Sequence, residues 1–263
     1  MFDLAALESS REDGLAETVF AGKLHYSAVT GSTNSDALSA ARNGAPHGSV
    51  YFADEQNAGR GRSDHGWHSA AGEGLYVSVL LRPRIAAARL PLIPLVAGLA
   101  AAEAIGTAAK LTVDLRWPND LLIGPRKTGG ILVEAHSEGS SVSYAVVGIG
   151  INVHQRSFAP DLSTPATSLD IETGRRVSRQ ALLVALLKSL EREILALAEG
   201  SPAERIPTRV EQVSTWVRGK SVEVHGPQAC HGVTEGLDEH GFLLVRTDTG
   251  TVTVQTGGIR VKD

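Results

Sequence analysis

Apolar residues recur along this chain with two different periods, and the change from one to the other marks out its elements. Leu183, Leu186, Leu187, Leu190, Ile194 and Leu197 fall at helical spacing behind Ser178, a capping residue, so the pattern predicts a helix over 179–198. Residues 75–81 are almost continuously apolar, as in a strand covered on both faces. Shorter apolar runs predict strands over 25–29, 50–53, 111–117, 121–123, 131–136 and 143–149. A helix over 35–42 is closed by Asn43-Gly44, and a weaker one is expected over 203–214. The Ala-rich run 90–105 carries Pro91, Pro94 and Glu103; it reads as a buried helix too short to span a bilayer. Residues 56–74 have no periodicity and predict a loop, while 1–22 read as a polar, weakly helical leader.

From Gly219 the pattern changes. Val222-Glu223-Val224, Gly232-Val233-Thr234, Phe242-Leu243-Leu244-Val245 and Val252-Thr253-Val254 are short strands set between glycine turns, the signature of a small all-β barrel. The expected organisation is α+β: a leader (1–22), a unit of mixed sheet and helices (23–216), and an all-β unit (217–263).

Composition narrows the partners. A formal net charge of −4 argues against bulk nucleic-acid binding, which needs a clustered excess of Lys and Arg, although a local basic patch stays open. The single cysteine, Cys230, cannot form an intramolecular disulfide. With no targeting segment at the start, the chain reads as cytoplasmic, with no membrane partner. The nine histidines show no metal-ligand spacing; His65 and His68 stand in a glycine loop without partners. There is no Gly-x-Ser-x-Gly elbow, so a covalent serine or cysteine enzyme is not expected.

Four segments can carry chemistry. In Gln56-Asn57-Ala58-Gly59-Arg60-Gly61-Arg62, with Trp67 beyond, glycines permit close backbone approach and two arginines can neutralise a phosphate or carboxylate. The bland alternative is a mobile basic loop; a P-loop is ruled out because Gly-Lys-Ser/Thr is missing. In Arg116-Trp117-Pro118-Asn119-Asp120, followed by Lys127-Thr128-Gly129-Gly130, a turn is expected to point Asp120 away from its strand. Taken singly these are a turn and a surface lysine. Together they suit chemistry at an α-phosphate, which needs cations and an acid that holds Mg²⁺ or orients the nucleophile. Ser32-Thr33-Asn34 is by default a helix cap, and can also hydrogen-bond a small neutral ligand. Gly148-Ile149-Gly150-Ile151-Asn152 is by default a buried strand with glycines at a close approach; Asn152 is its one polar member.

The order and spacing of these segments over roughly 26–152 resemble the biotin–protein ligases of bacteria, and the tail from Gly219 resembles that family's SH3-like domain. The resemblance implies a mixed-sheet catalytic domain of the biotin/lipoate ligase type followed by an SH3-like barrel. It implies a biotin–[biotin carboxyl carrier protein] ligase: biotin and MgATP form biotinyl-5'-AMP, and a lysine of a carrier domain then takes the biotin. Ser32, Thr33, Asn34 and Gln56 would meet the biotin ring, with Arg60, Gly61, Arg62 and Lys127 also contacting biotin. Arg60, Arg62, Trp67, Asn119, Asp120, Lys127 and Asn152 would serve ATP and the adenylate. Lys127, Asp120 and Arg62 would be the catalytic residues, and no metal-binding residue is assigned. Family members that also act as repressors carry an N-terminal helix-turn-helix domain. Only about two dozen residues precede the motifs here, so DNA binding and repression are not expected. A homodimer is left open. Asp64 and His65 stand where the family usually has Gly and a basic residue, and Arg116 where it usually has Lys. A less basic loop implies looser retention of the intermediate or a shifted nucleotide affinity. Of the rivals, a lipoate–protein ligase is disfavoured by the Gly-Arg-Gly-Arg and Trp-Pro-Asn-Asp pair. A non-catalytic ligand-binding or interaction protein is disfavoured by the intact Lys127 and Asp120.

Overall fold

A computed structural model describes residues 2–9, 14–62, 65–199 and 205–261. A short helix, α1 (Leu4–Leu7), precedes strand β1 (Leu24–Thr30), helix α2 (Thr33–Arg42), strand β2 (Ser49–Gln56) and strand β3 (Gly74–Leu81). Helix α3 (Leu92–Ala109) leads to β4 (Asp114–Arg116), β5 (Asp120–Ile123), β6 (Arg126–Glu138) and β7 (Ser141–Asn152). Helices α4 (Leu169–Thr173), α5 (Arg179–Ala198) and α6 (Arg205–Val213) complete the larger unit. Its seven strands form one mixed sheet in the order β1-β2-β3-β7-β6-β5-β4. Only β1 and β2 are parallel, and they are joined through α2 as such a pair requires.

The sheet is buried on both faces at its centre, and the alternation along β3 explains why. Leu75, Val77, Val79 and Leu81 enter the main core, while Leu80 packs on the opposite face with Ala37 and Ala41 of α2 and with Val146. All eight residues of β3 are buried, so its sequence shows no polar alternation. Beneath the main-core face lie α3 and α5, packed against each other. Ser178 caps α5 as the sequence suggests, its Oγ accepting from the Ala181 amide at 3.2 Å.

Several elements differ from the sequence reading. Helix α3 runs further than expected, for 18 residues to Ala109, where Lys110 closes it in the left-handed region at φ 61°. By length and composition it could cross a membrane, and 67% of it is buried inside the molecule. The expected strand over 111–117 shortens to β4, and Asp120 opens β5, directly opposite Arg116, rather than pointing away from a turn. The segment read as a polar leader sends Phe2, Leu7, Leu15 and Phe20 into the core. Each such side chain contributes roughly 1.5–3 kcal/mol on burial, enough to bind the segment to the body. The start of the weaker helix, Ala203 and Glu204, lies outside the described residues.

Beyond α6 a second sheet forms from β8 (Arg218–His225), β9 (Cys230–Leu237), β10 (Leu243–Thr247), β11 (Gly250–Val254) and β12 (Gly258–Val261). All its pairings are antiparallel, in the order β11-β10-β9-β8-β12. It is fastened to the first unit at Trp117, whose Nε1 donates to the Gly241 carbonyl at 3.0 Å. Gly241 has φ +81°, and a Cβ there would stand 2.6 Å from Leu95 Cδ1 of α3. Gly241→Val is therefore expected to destabilise the protein by about 1–3 kcal/mol through overpacking and backbone strain; thermal denaturation against wild type measures it.

Candidate active site

The face of the sheet that carries α2 also carries a cleft, and three neighbouring strands build its floor. In register, Ser78 of β3 stands beside Gly148 of β7, which stands beside Leu132 of β6; Tyr76, Gly150 and Gly130 form the next row. The two glycines of β7 make room for larger side chains above them. A Cβ on Gly148 would meet Asn34 Oδ1 at 2.2 Å, and one on Gly150 would meet the Trp67 indole at 2.6 Å. This answers what the Gly-Ile-Gly-Ile-Asn pattern is for: isoleucines fill the core on one face, and absent side chains hollow the other. The cleft measures about 1020 Å³, and all twelve residues singled out from the sequence line it: Ser32, Thr33, Asn34, Gln56, Arg60, Gly61, Arg62, Trp67, Asn119, Asp120, Lys127 and Asn152.

At one end the groups are neutral. Ser32 occupies the N-cap position of α2 but makes no side-chain capping bond, so capping does not account for its hydroxyl. Thr33 donates its amide to Gln56 Oε1 at 2.9 Å, and Gln56 Nε2 donates to Ser69 Oγ at 2.8 Å. Thr33 Oγ1 lies 2.8 Å from Ser78 Oγ, which donates to Asn34 Oδ1 at 2.7 Å. Ser32, Thr33 and Asn34 are all buried. Trp67 lies over Gly150 with its Nε1 buried and without a hydrogen-bond partner.

At the other end the groups are charged. Asp120 stands between two cations: Lys127 Nζ lies 2.5 Å from Oδ1, and Arg116 Nε and Nη2 donate to Oδ2 at 3.0 and 2.7 Å. Burial, the largest single influence, raises the Asp120 carboxyl. The charges of Lys127 and Arg116, with their hydrogen bonds, together outweigh it and leave the group below its ordinary value. Arg116 is more than a substitute for lysine here. Its second nitrogen also reaches Thr164 Oγ1 at 2.9 Å, and its guanidinium stacks 5.3 Å from the Trp216 ring, contacts that an ammonium could not combine. Lys127 Nζ also lies 5.7 Å from the Trp67 ring centre.

The glycine loop crosses the cleft. Gly61 donates to the His65 carbonyl at 2.6 Å, and His65 Nδ1 lies 2.9 Å from the Arg62 carbonyl, so His65 tightens the loop where a basic residue was expected. Asp64 lies outside the described residues. Arg62 reaches beyond the first sheet: Nη1 donates to Asn119 Oδ1 at 3.2 Å and to the Gly257 carbonyl at 3.0 Å. Burial pulls its guanidinium below the usual value, with Asp120 opposing. Among the described residues its ion-pair partners include no carboxylate, whereas Arg60 is paired to Glu134 at 2.5 Å. Asn152 is held from within, its Nδ2 donating to the Thr167 carbonyl at 3.0 Å. It anchors the segment that carries Gln155 and Thr164 to the cleft wall.

Sequence reading missed Ser78, Gln155, Thr164 and the 257–260 wall beside the second sheet, all lining the cleft, and Glu134, which bonds Asn34 and Arg60 from beside it. Ser78 had a signal, as the only polar residue within the apolar run 75–81. The others are brought in by strand register and by packing of the second unit. No group of three or more potential metal-ligating residues occurs among the described residues.

Comparison with known proteins agrees with this architecture. The biotin/lipoate A/B protein ligase family matches residues 26–152, and the biotin protein ligase C terminal domain matches 219–260. The bifunctional ligase/repressor BirA of Bacillus spizizenii is 33% identical over 97% of this chain and 78% of its own. The biotin–[acetyl-CoA-carboxylase] ligase of Paracoccus denitrificans is 34% identical over 85% of this chain and 94% of its own. The structure of the biotin protein ligase from Aquifex aeolicus in complex with biotin and ATP superposes with a TM-score of 0.78 at 30% identity, covering 91% of this chain and 98% of that one. The chain belongs to the biotin protein ligases of the biotin/lipoate A/B protein ligase family, with their mixed-sheet catalytic fold and SH3-like C-terminal unit.

The depressed Asp120 carboxyl carries a pH signature. Its contribution to stability is fully present above the ordinary carboxylate value, about 3.9, and is lost as pH falls through the lower folded value. Denaturation midpoints should show wild type losing its advantage over Asp120→Asn only below about pH 4. An advantage that vanished nearer neutrality would contradict the ion-pair arrangement.

Proposed function

We propose that this protein activates biotin with ATP as biotinyl-5'-AMP and transfers it, in the cytoplasm, to a specific lysine on the carrier domain of a biotin-dependent carboxylase. The supporting observation is one cleft with a neutral hydrogen-bonding cluster at one end and paired cations at the other. That division suits a ligand with an uncharged polar head and an acid tail, adjoining a nucleotide. The bound ligands of the Aquifex aeolicus relative, biotin and ATP, support the same reading.

In the first half-reaction the biotin carboxylate attacks the α-phosphorus. A C–O–P bond forms, the Pα–O–Pβ bond breaks, and pyrophosphate leaves. Two anions must meet, and at about 4 Å and an effective dielectric near 20 each unit repulsion costs roughly 4 kcal/mol. Lys127, Arg60 and Arg62 offset that repulsion, already oriented before the ligands arrive. Asp120 holds Lys127 at the place where the carboxylate and α-phosphate converge, while Asn119 tethers Arg62. Ser32, Thr33, Asn34 and Gln56 receive the ureido ring, Gly61 gives the backbone close approach, and Trp67 covers the ligand. Asn152 shapes the adenylate wall. In the second half-reaction the acceptor lysine nitrogen attacks the carbonyl carbon. An amide forms, the C–O bond to phosphate breaks, the amine loses its proton, and AMP departs. The anhydride is prone to hydrolysis, and the loop strapped by Arg62 across to residues 256–257 keeps water from it.

ATP of this kind arrives with Mg²⁺, which neutralises phosphate charge. Both Asp120 oxygens are engaged by cations, and the described residues offer no three-ligand cluster, so the side chains present do not fit a protein-held magnesium site. We also propose 23–216 and 217–263 as the domain division, joined at the seam between α6 and β8.

Incubation with labelled biotin, MgATP and a biotin carboxyl carrier domain should give covalent transfer, suppressed by excess biotin and not by lipoate. Absence of biotin-dependent AMP release would overturn the reading. Lys127→Ala should lower biotin-dependent pyrophosphate exchange by roughly 10²–10³-fold; a near-normal rate would count against its role. Arg62→Gly should still form the adenylate but release it, measured as labelling of bystander lysines on added proteins. Retention equal to wild type would refute the strap.

A further inference from the structure

A carboxylate outside the twelve residues reaches the neutral end of the cleft from the sheet. Glu134 of β6 accepts with one oxygen, Oε2, from Asn34 Nδ2 at 2.8 Å and from Arg60 Nη2 at 2.5 Å. It therefore joins the ring-binding cluster to the glycine loop through a single atom. Asn34 is 4% exposed and is pressed against the Gly148 backbone, so its amide has no other space to occupy.

The direction of donation from Ser78 to Glu134 is determinate. Ser78 has one hydroxyl proton, and it goes to Asn34 Oδ1. The one Thr33 hydroxyl proton is then shared between two acceptors, Ser78 Oγ at 2.8 Å and Gln56 Oε1 at 3.1 Å. Donation runs from Ser78 to Asn34 and from Asn34 to Glu134. An ionised carboxylate only accepts, so it terminates the relay and sets its direction. Without it, the two ends of the Asn34 amide would compete for the same places.

We propose that Glu134 is a positioning residue for the neutral end of the cleft. It holds the Asn34 nitrogen outward, which leaves the remaining lone pair of Asn34 Oδ1 as an acceptor for an N–H donor of the ligand. A cyclic urea offers such donors, so the relay selects for the ring by its hydrogen-bonding polarity. The same oxygen holds Arg60 at the loop's inner edge, so ring binding and loop position share one anchor. This inference rests on the biotin-activating reading above.

The test is biotin-dependent ATP–pyrophosphate exchange with each substrate varied in turn. Removing an acceptor of charge-assisted bonds in Glu134→Ala should raise the KM for biotin about tenfold or more, and clearly more than the KM for ATP. Glu134→Gln keeps an acceptor oxygen at the same place and should recover most of that loss. Ser78→Ala disturbs the same relay from its other side, so its effect combined with Glu134→Ala should be smaller than the product of the two singles. A biotin KM within about twofold of wild type in Glu134→Ala, an equal rise in both KM values, or multiplicative single effects would overturn the proposal. Wild-type protein showing no biotin-dependent exchange would defeat the biotin reading itself, an outcome distinct from these.

Discussion

Arg60, Arg62, Arg116 and Lys127 are among the cationic side chains that share one cleft, and their mutual repulsion must be contained before any ligand can use them. Two carboxylates contain it unequally. Asp120 takes Arg116 and Lys127, Glu134 takes Arg60, and Arg62 is left to neutral partners on Asn119 and the second sheet. Breaking a buried pair by deleting one member costs roughly 3–5 kcal/mol, so Asp120, set between Arg116 and Lys127, belongs to the fold as much as to the chemistry; the Arg60–Glu134 pair is more exposed and contributes less to stability. The excess of cations over anions gives the cleft its affinity for negative groups. The pairings give it a fixed geometry in which to receive them.

That geometry depends on alternation across three strands. Positions 75, 77, 79 and 81 of β3 and 147, 149 and 151 of β7 carry leucine, valine and isoleucine into the core, and the intervening Ser78, Gly148, Gly150 and Asn152 face the cleft. A one-residue slip in register would exchange the two sets and abolish both core and site. The core packing that stabilises the sheet is therefore also what aims the polar groups. Stability and function are not separable in this region.

Much of this was legible in the chain because the cleft residues come in contiguous runs. The Gly-Arg-Gly-Arg loop, the Trp-Pro-Asn-Asp corner and the Ser-Thr-Asn start of α2 each advertise unusual chemistry locally. Glu134 and Thr164 were not legible, since nothing nearby in sequence marks them; sheet register and packing alone bring them to Asn34 and Arg116. The aromatic residues of the first segment were overlooked for a related reason. Phe2 and Phe20 follow no period, and their burial is decided by α5 and the sheet, far along the chain. What Arg116 does in place of the usual lysine was not legible, because its two-pronged hold on Asp120 is visible only in three dimensions.

Helix α3 is apolar on nearly every side, Glu103 and Thr107 apart, and the helix packed most extensively on it, α5, begins 70 residues after it ends (179 − 109). During synthesis the segment emerges well before its cover, as a stretch that resembles a membrane anchor in length and composition. Until α5 arrives it is a sticky surface, the kind on which holding chaperones act and from which aggregates grow. Heat or mutation that loosens the α3–α5 contact re-exposes that surface in the mature chain. Loss of the native state in this protein would then run towards precipitation faster than towards reversible unfolding.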